Sequence, residues 1–160
     1  MTLNLAVVGL GAFGQKHLDA LTQIPDATIK YVAHSKQNVA DEIAQKYGAE
    51  RGFDNYTELL KQPDLDGVLL ATPTQMHHDQ TIEALRAGKH VMVEIPMADN
   101  LAGVQDIVAA QQESGKVAMA GHTRRFNPSH QYVHNKIVAG EFTIQQMDVQ
   151  TYFFRRTNMN

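Results

Sequence analysis

Three closely spaced glycines near the start of the chain constrain its fold more than any other feature. Gly9, Gly11 and Gly14 follow the apolar run Leu5–Val8 and precede a stretch of helical character, Gln15–Leu21. In this setting the first glycine forms a tight turn, the second lets the backbone approach a pyrophosphate, and the third lets helix and strand pack closely, while the helix N-terminus faces the phosphates. The sequence therefore predicts a dinucleotide site, with a purely structural glycine turn as the alternative. The predicted contacts are Gly9, Gly11, Ala12, Phe13 and Gly14.

Composition and charge limit the classes of protein to which the chain can belong. With 160 residues, 43% of them hydrophobic, and a net charge of −3, the chain fits one globular domain, or one domain and a fragment. The absence of cysteine excludes a disulfide framework and a cysteine metal site. Scattered charges give no reason to expect nucleic acid, and the sequence shows neither a signal peptide nor the apolar run of about 18 residues that a membrane span needs. We therefore expect a soluble cytoplasmic protein.

Apolar runs alternate with helical patterns over most of the chain. The predicted strands are Leu3–Val8, Thr28–Ala33, Ala49–Phe53, Gly67–Ala71, His90–Glu94 and Lys116–Ala120. The predicted helices are Ala12–Leu21, Asn38–Tyr47, Tyr56–Lys61, Gln75–Ala87, Leu101–Ser114 and Ser129–Ala139. Gly48, Gly88, Gly115 and Gly140 each follow a helix, where a left-handed residue favours glycine. The alternation predicts an α/β fold with a doubly wound parallel Rossmann sheet and a ligand at the carboxyl ends of the strands.

The pattern changes after residue 140. Glu141–Phe154 is predicted to be a long strand, with Met147, Val149, Thr151 and Phe153 on one face. It is too long, and too polar on its other face, for another buried parallel strand, so we expect it to begin a second sheet. We accordingly predict a dinucleotide-binding domain over residues 1–121. Residues 122–160 would form a linker and the truncated start of a second α/β domain, which would serve substrate binding and oligomerisation. This start would consist of a helix and a strand. On this prediction the chain is the front half of a larger protein.

The end of the second predicted strand indicates which dinucleotide is bound. In NAD-binding folds an acidic residue about twenty positions after the last glycine holds the ribose hydroxyls, but this chain reads Ala33-His34-Ser35-Lys36 there. A carboxylate would repel a 2′-phosphate, whereas Ser35 can hydrogen-bond to one, and Lys36 or a protonated His34 can neutralise it. We therefore predict NADP over NAD. The alternative is a solvated turn with an ordinary surface lysine.

Polar residues follow the fourth predicted strand, where the nicotinamide half of the cofactor should lie. Pro73 fixes the turn, and Thr72 and Thr74 offer hydroxyl groups. His77 and His78 are adjacent, so on a helix their side chains point about 100° apart and cannot both face one metal. Because no third ligand has suitable spacing, we predict no metal site. We expect one histidine, assigned here as His77, to contact the cofactor or begin the helix, and the other to face solvent.

Charged residues at the ends of the fifth and sixth predicted strands are candidates for the chemistry. Glu94 leaves a buried strand at the ligand edge, which predicts contact with cofactor or substrate, with a strand-end salt bridge as the alternative. Arg124 and Arg125 suit bidentate binding of substrate carboxylates, unless they pair with surface acids. Thr123 is grouped with these arginines as a predicted substrate contact.

Five ordered motifs span the chain. They are Val8-Gly-Leu-Gly-Ala-Phe-Gly14, Thr72-Pro-Thr-Gln-Met-His77, Gly88-Lys-His-Val91, Glu94-Ile-Pro96 and Arg125-Phe-Asn-Pro128. In this combination the chain resembles the Gfo/Idh/MocA oxidoreductase family. The resemblance implies an amino-terminal Rossmann domain and a carboxyl-terminal α/β domain on a large open sheet. It also implies a homo-oligomer at full length, since that second sheet often forms the subunit interface.

One position departs from the family pattern. The family usually has Glu-Lys-Pro where this chain has Glu94-Ile95-Pro96, and that lysine commonly assists proton transfer or orients substrate. Isoleucine can do neither, so the acid–base group comes from elsewhere or activity is lost. Within this half His122, flanked by the proposed substrate arginines, is the candidate base. The family more often places a histidine in the second domain, so we expect the main base beyond residue 160.

Longer segments resemble one branch of the family. They are residues 94–99, 121–132 and 145–156. The resemblance implies an NADP-dependent dehydrogenase that oxidises the cyclic hemiacetal of a small dicarboxylate to a lactone, a substrate whose charges Arg124 and Arg125 would neutralise. A hemiacetal hydroxyl is more acidic than an ordinary alcohol, so a histidine or carboxylate base could replace the lysine. A sugar or polyol dehydrogenase of the same family and a non-catalytic dinucleotide-binding module are the alternatives.

Overall fold

The computed structural model describes residues 2–150, and six strands of this part form one parallel sheet in the order β3-β2-β1-β4-β5-β6. The strands are β1 (Leu3–Val8), β2 (Ala27–Ala33), β3 (Arg51–Phe53), β4 (Gly67–Leu70), β5 (His90–Val93) and β6 (Ala118–Ala120). This order reverses between β1 and β4, which creates a crevice at the carboxyl ends of those two strands. The predicted doubly wound Rossmann sheet is therefore confirmed.

The helices connect the strands as the alternating pattern predicts. They are α1 (Ala12–Leu21), α2 (Gln37–Tyr47), α3 (Tyr56–Leu60), α4 (Thr74–Arg86), α5 (Leu101–Ser114) and α6 (Pro128–Val138). All four glycines predicted to end helices have positive φ angles, between 64° and 74°. Most boundaries agree with the predicted ones to within two residues. A short 3-10 helix, Thr123–Phe126, was not predicted.

The sheet is buried on both faces because helices cover each side of its central strands. On one face Val7 and Leu69 pack with Leu18 of α1. On the other, Val8 and Leu70 belong to a second apolar cluster that includes residues of α3 and α4. Every residue of β4 is buried, as expected for a central parallel strand. Burial on both faces explains why these strands are continuous apolar runs rather than alternating patterns.

The chain divides into two compact units, one ending at His122 and the other beginning at Thr123. In the second unit the described residues form the 3-10 helix and α6, whose side chains are half-buried or exposed throughout. Asn127 begins α6 by accepting a hydrogen bond from the N–H of Ser129, 3.0 Å away. The helix predicted over Ser129–Ala139 is thus present, and its assignment to a second domain stays a prediction.

The long strand predicted over Glu141–Phe154 is not formed where the structure describes it. Residues 141–150 have no strand conformation, and residues 151–154 lie outside the described residues. The alternating pattern identified a segment that can pair, but a strand exists only when a neighbour supplies the hydrogen-bonding ladder. Within residues 2–150, none of the helices has the length and apolarity needed to span a membrane.

Candidate functional site

The three fingerprint glycines occupy three different environments. Gly9 has φ of 89° and packs so closely that a Cβ there would lie 2.6 Å from the carbonyl oxygen of Ala71. A Cβ on Gly14 would lie 1.9 Å from the carbonyl oxygen of Gly9. A Cβ on Gly11 would meet no heavy atom within 4 Å. Gly9 and Gly14 are therefore required by packing, whereas the space beside Gly11 is open to a ligand.

A cleft of about 590 Å³ opens at the carboxyl ends of β1, β2 and β4. It is lined by Val8, Gly9, Leu10, Gly11, Ala12, Phe13, Ala33, His34, Ser35, Asp54, Tyr56, Ala71, Thr72, Pro73, Met76 and Gln80. We call this space the dinucleotide cleft. The structure thus brings together most of the residues predicted to contact the cofactor, although they come from three separate parts of the sequence. The N-terminus of α1 begins at the same place, after Gly11.

Of the three predicted residues at the end of β2, two line the cleft, and Lys36 does not. His34 and Ser35 line it, and Lys36 is exposed at the start of α2, where its backbone N–H donates to Nδ1 of His34 over 3.1 Å. Thr74 is the first residue of α4 and does not line the cleft. Thr72 does line it, and its hydroxyl donates to Oε1 of Gln80, 2.6 Å away.

Eight lining residues were not predicted as contacts: Val8, Leu10, Ala33, Asp54, Tyr56, Ala71, Met76 and Gln80. Tyr56 is held by a 2.8 Å hydrogen bond from its hydroxyl to the backbone oxygen of Gln80, and burial raises its pKa. Asp54 directly follows β3, and the N–H of His34 donates to the oxygen of Phe53 over 3.0 Å, so Asp54 lies beside the end of β2. Its position directly after a strand was the available signal.

Glu94 has a partner that no local pattern could indicate. Its Oε1 lies 2.6 Å from Nε2 of His17 on α1, and both side chains are more than four-fifths buried. Glu94 lines neither the dinucleotide cleft nor the second pocket described below. The alternative interpretation, a polar contact at the end of the strand, therefore describes its environment, and contact with cofactor or substrate stays a prediction.

The two adjacent histidines point in different directions, as expected for neighbours on a helix. His77 is 2% exposed, and both of its ring nitrogens lie 2.8 Å from backbone carbonyl oxygens, Nδ1 from Pro96 and Nε2 from Thr72. His78 is half-buried, and its Nδ1 lies 2.7 Å from Asp79. Residues 2–150 contain no group of three or more potential ligands that could hold a metal ion.

A second pocket, of about 480 Å³, lies beyond the ends of β5 and β6. It is lined by Ile95, Pro96, Met97, Ala98, Val104, Ala120 and His122. Ile95 is 47% exposed, and His122 is the one titratable residue among those that line it. The position that departs from the family pattern and the candidate base therefore share one pocket.

The remaining predicted substrate residues belong to the second unit. Thr123, Arg124 and Arg125 form most of the 3-10 helix and are exposed. The carbonyl oxygen of Arg124 lies 3.1 Å from Nδ1 of His130 on α6. Their contact with substrate stays a prediction.

Comparison with known families identifies the first unit. Residues 3–122 match the model of the oxidoreductase family with an NAD-binding Rossmann fold, Gfo/Idh/MocA. The chain belongs to this family. Residues 128–160 match a second model, described as the C-terminal domain of bacterial oxidoreductases. The family description supports a nicotinamide dinucleotide as the class of cofactor.

Relatives within the Gfo/Idh/MocA family act on different substrates. One relative is 4-carboxy-2-hydroxymuconate-6-semialdehyde dehydrogenase of a Sphingobium species. The two sequences are 56% identical over 158 residues, and this match covers 99% of the chain and 50% of that relative. The chain is 33% identical over 140 residues to scyllo-inositol 2-dehydrogenase (NAD(+)) of Bacillus subtilis, covering 87% of the chain and 41% of that relative. The chain thus spans half or less of the length of these relatives.

Solved structures agree with this assignment. A probable dehydrogenase from Thermotoga maritima matches with a TM-score of 0.83 and 27% identity, over 87% of the chain and 42% of that structure. The scyllo-inositol dehydrogenase from Lactobacillus casei, solved with NAD(H) and scyllo-inositol, matches with a TM-score of 0.82 and 25% identity, over 88% of the chain and 42% of that structure.

Proposed function

We propose that this chain is the NADP-binding part of an enzyme that oxidises the cyclic hemiacetal of 4-carboxy-2-hydroxymuconate-6-semialdehyde to 2-pyrone-4,6-dicarboxylate, a step of protocatechuate 4,5-cleavage. At full length it would act in the cytoplasm as a homo-oligomer. The observation that carries the cofactor part is the contrast between the open space at Gly11 and the tight packing at Gly9 and Gly14. The 56% identity to a dehydrogenase of that name supports the substrate part.

The residues of the dinucleotide cleft fit such a cofactor. The backbone N–H groups at the start of α1, beginning with Ala12 and Phe13, would donate to the pyrophosphate that fills the space beside Gly11. Ser35 would hydrogen-bond to the 2′-phosphate, and Lys36 would neutralise it. Thr72 and Pro73 would border the nicotinamide half, since the second half of a doubly wound sheet binds the second mononucleotide.

Asp54 opposes the choice of NADP, because a carboxylate near the ribose repels a 2′-phosphate. It is the one carboxylate among the residues that line the cleft. It follows β3 rather than β2, however, whereas Ser35 and Lys36 continue directly from β2, the strand whose end holds the ribose in this fold. We therefore assign the 2′-phosphate to Ser35 and Lys36 and expect Asp54 to modulate the preference.

The second pocket supplies the protein's part in the oxidation. The bound cofactor would accept the hydride from the anomeric carbon, while the hydroxyl proton leaves to a base and the carbon–oxygen double bond of the lactone forms. Ile95 cannot take that proton, so His122, in the same pocket, is the candidate base within this chain. We expect the main base in the carboxyl-terminal half of the full-length enzyme. Arg124 and Arg125 would bind the substrate carboxylates.

A polyol dehydrogenase is the second candidate function. The similarity to inositol dehydrogenases of Bacillus subtilis and Lactobacillus casei favours it. Ile95 in place of the family lysine, and the sequence-adjacent Arg124 and Arg125, count against it, because a neutral polyol has no carboxylate for the arginines to bind. In a non-catalytic dinucleotide-binding module, the cleft would bind the cofactor and the second pocket would have no role in a reaction.

Titration with both reduced cofactors tests the proposed function. Binding changes the fluorescence of a reduced nicotinamide cofactor. We expect this change to occur at a lower concentration of NADPH than of NADH. Lys36→Ala should weaken NADPH binding by about 1–2 kcal/mol, as loss of a charge-assisted phosphate contact does, and leave NADH nearly unchanged. Asp54→Asn should strengthen the binding of NADPH relative to that of NADH.

Lys61→Ala is the matched control, because Lys61 is an exposed lysine that pairs with Glu58 at 2.6 Å and lies at the end of α3 rather than directly after β2. Its affinities for both cofactors should equal those of the wild type. Equal or reversed wild-type affinities for NADPH and NADH would rule out the NADP assignment.

A further inference from the structure

His77 links two turns that border different pockets. It lies in the first turn of α4, and its ring is almost completely buried. Nε2 lies 2.8 Å from the carbonyl oxygen of Thr72, in the turn after β4, and Nδ1 lies 2.8 Å from that of Pro96, in the turn after β5. Thr72 lines the dinucleotide cleft, whereas Pro96 lines the second pocket. One side chain thus contacts the backbone of a lining residue of each pocket.

The chemistry of these contacts distinguishes histidine from other residues. A carbonyl oxygen only accepts hydrogen bonds, so each contact requires an N–H on the imidazole. A neutral ring donates to one of the two carbonyl oxygens, and a doubly protonated ring donates to both. An asparagine or glutamine amide carries its N–H groups on one nitrogen, so neither can present donors on two separate nitrogen atoms as a histidine ring can.

The position of the bridge along the sheet determines what it can influence. β4 and β5 are adjacent parallel strands, paired from Gly67 with His90 to Leu70 with Val93. Their turns leave at the edge where the nicotinamide half of a dinucleotide lies, while the adenosine half lies beyond β1 toward β2 and β3. Because the ring of His77 is almost completely buried and both of its nitrogens face backbone carbonyl oxygens, we expect it to act on a ligand only through the two turns.

We propose that His77 is a positioning residue that fixes the spacing of the turns after β4 and β5 and thereby orients the nicotinamide half of the cofactor. The proposal rests on the proposed function, because it requires a dinucleotide in the cleft. It changes the role predicted from the sequence, which was direct contact with the cofactor. It also predicts a selective effect, since displaced turns affect the nicotinamide half and leave the adenosine half unchanged.

The test compares a whole dinucleotide with the part that both cofactors share. NADPH and NADH are titrated by fluorescence, and adenosine 5′-diphosphate by calorimetry, against His77→Phe, His77→Asn and His77→Gln. We expect His77→Phe to weaken binding of the preferred dinucleotide about tenfold, as misplacement of a binding wall does, and to change adenosine diphosphate binding by less than about twofold. His77→Asn and His77→Gln, which each keep one donor in reach of one carbonyl, should restore part of the affinity.

His78→Gln is the matched control, because His78 is the next residue of the same helix and its Nδ1 contacts the side chain of Asp79. It should bind both ligands as the wild type does. Equal losses for dinucleotide and adenosine diphosphate, no loss for either, or failure of all three His77 variants to fold by circular dichroism would overturn the positioning role. A wild-type chain that binds neither NADPH nor NADH would instead overturn the proposed function on which it rests.

Discussion

At the scale of single residues, the three fingerprint glycines show how one sequence motif combines two requirements. Gly9 and Gly14 are needed by the folded chain itself, because their missing side chains leave room for backbone at 2.6 Å and 1.9 Å. Gly11 is different. Its φ of −70° and ψ of −167° are accessible to any residue, and a Cβ there would meet no heavy atom within 4 Å. The absence of a side chain at Gly11 therefore benefits only a ligand.

Substitution separates these requirements. Gly11→Val should leave the far-ultraviolet circular dichroism spectrum and the Tm nearly unchanged and abolish NADPH binding, because the valine side chain occupies the space of the pyrophosphate. Gly14→Ala should lower the stability by about 1–3 kcal/mol or more, because its Cβ overlaps the backbone of Gly9. A folded Gly11→Val variant that binds NADPH normally would show that the fingerprint is not the cofactor site.

At the scale of secondary-structure elements, a polar cluster connects β2 to the loop before β4. Nζ of Lys30 lies 2.6 Å from Glu50 and 3.1 Å from Asp64, and the hydroxyl of Tyr31 donates to Asp64 over 2.8 Å. The hydrogen bond from Tyr31, and to a smaller extent that from Lys30, lower the pKa of Asp64 below its ordinary value of 3.8. Burial and the same carboxylate raise the pKa of Tyr31 to about 12.

The cluster predicts a specific response to acid. A carboxyl group whose pKa is lowered by folding stabilises the native state above its ordinary pKa, and this contribution is lost as the pH falls through its lower folded value. The Tm of Asp64→Asn should therefore be below that of the wild type at neutral pH, and the difference should shrink when thermal unfolding is followed below about pH 4. Asp26→Asn, which changes another exposed aspartate, should show no such convergence. A difference in Tm that stays constant with pH would contradict the proposed contribution of Asp64.

At the scale of the whole molecule, the described chain contains a complete dinucleotide-binding sheet and the first helix of a second unit. The matches to two of its relatives cover 50% and 41% of their lengths. The sheet and the glycine turn are formed within residues 3–122, the same residues that match the family model. We therefore expect cofactor binding and catalysis to be separable.

The 160-residue chain should bind dinucleotide and turn over no substrate, whereas a form as long as the relatives should oxidise the muconate semialdehyde hemiacetal. In that longer form Arg124→Ala or Arg125→Ala should raise KM for the dicarboxylate by the equivalent of about 2–5 kcal/mol, the cost of removing one partner from a desolvated charge pair. Initial rates of NADPH formation measure both effects.

Arg86→Ala, a substitution in the last turn of α4, is the control and should leave KM unchanged. Turnover by the 160-residue chain would contradict the need for further residues. A wild-type KM in both arginine variants would remove Arg124 and Arg125 from the substrate site.

The sequence by itself determined the backbone arrangement of this protein. The glycine spacing and the alternation of apolar runs with helical patterns depend on neighbours within about one helix or strand, so they predicted the parallel sheet and the helix ends. The turns that carry Ser35 and Thr72 could be assigned to the cleft for the same reason, since carboxyl ends of parallel strands meet at one edge.

The tertiary structure alone decided which polar groups meet. Glu94 contacts His17, which is 77 positions away, and His77 takes its two carbonyl contacts from turns after different strands. Asp54 reaches the cleft because β3 pairs with β2. The segment 141–150 has the sequence pattern of a strand but no strand conformation in the described part of the chain. Local patterns fix backbone conformation, but the partner of a side chain depends on segments that only folding brings together.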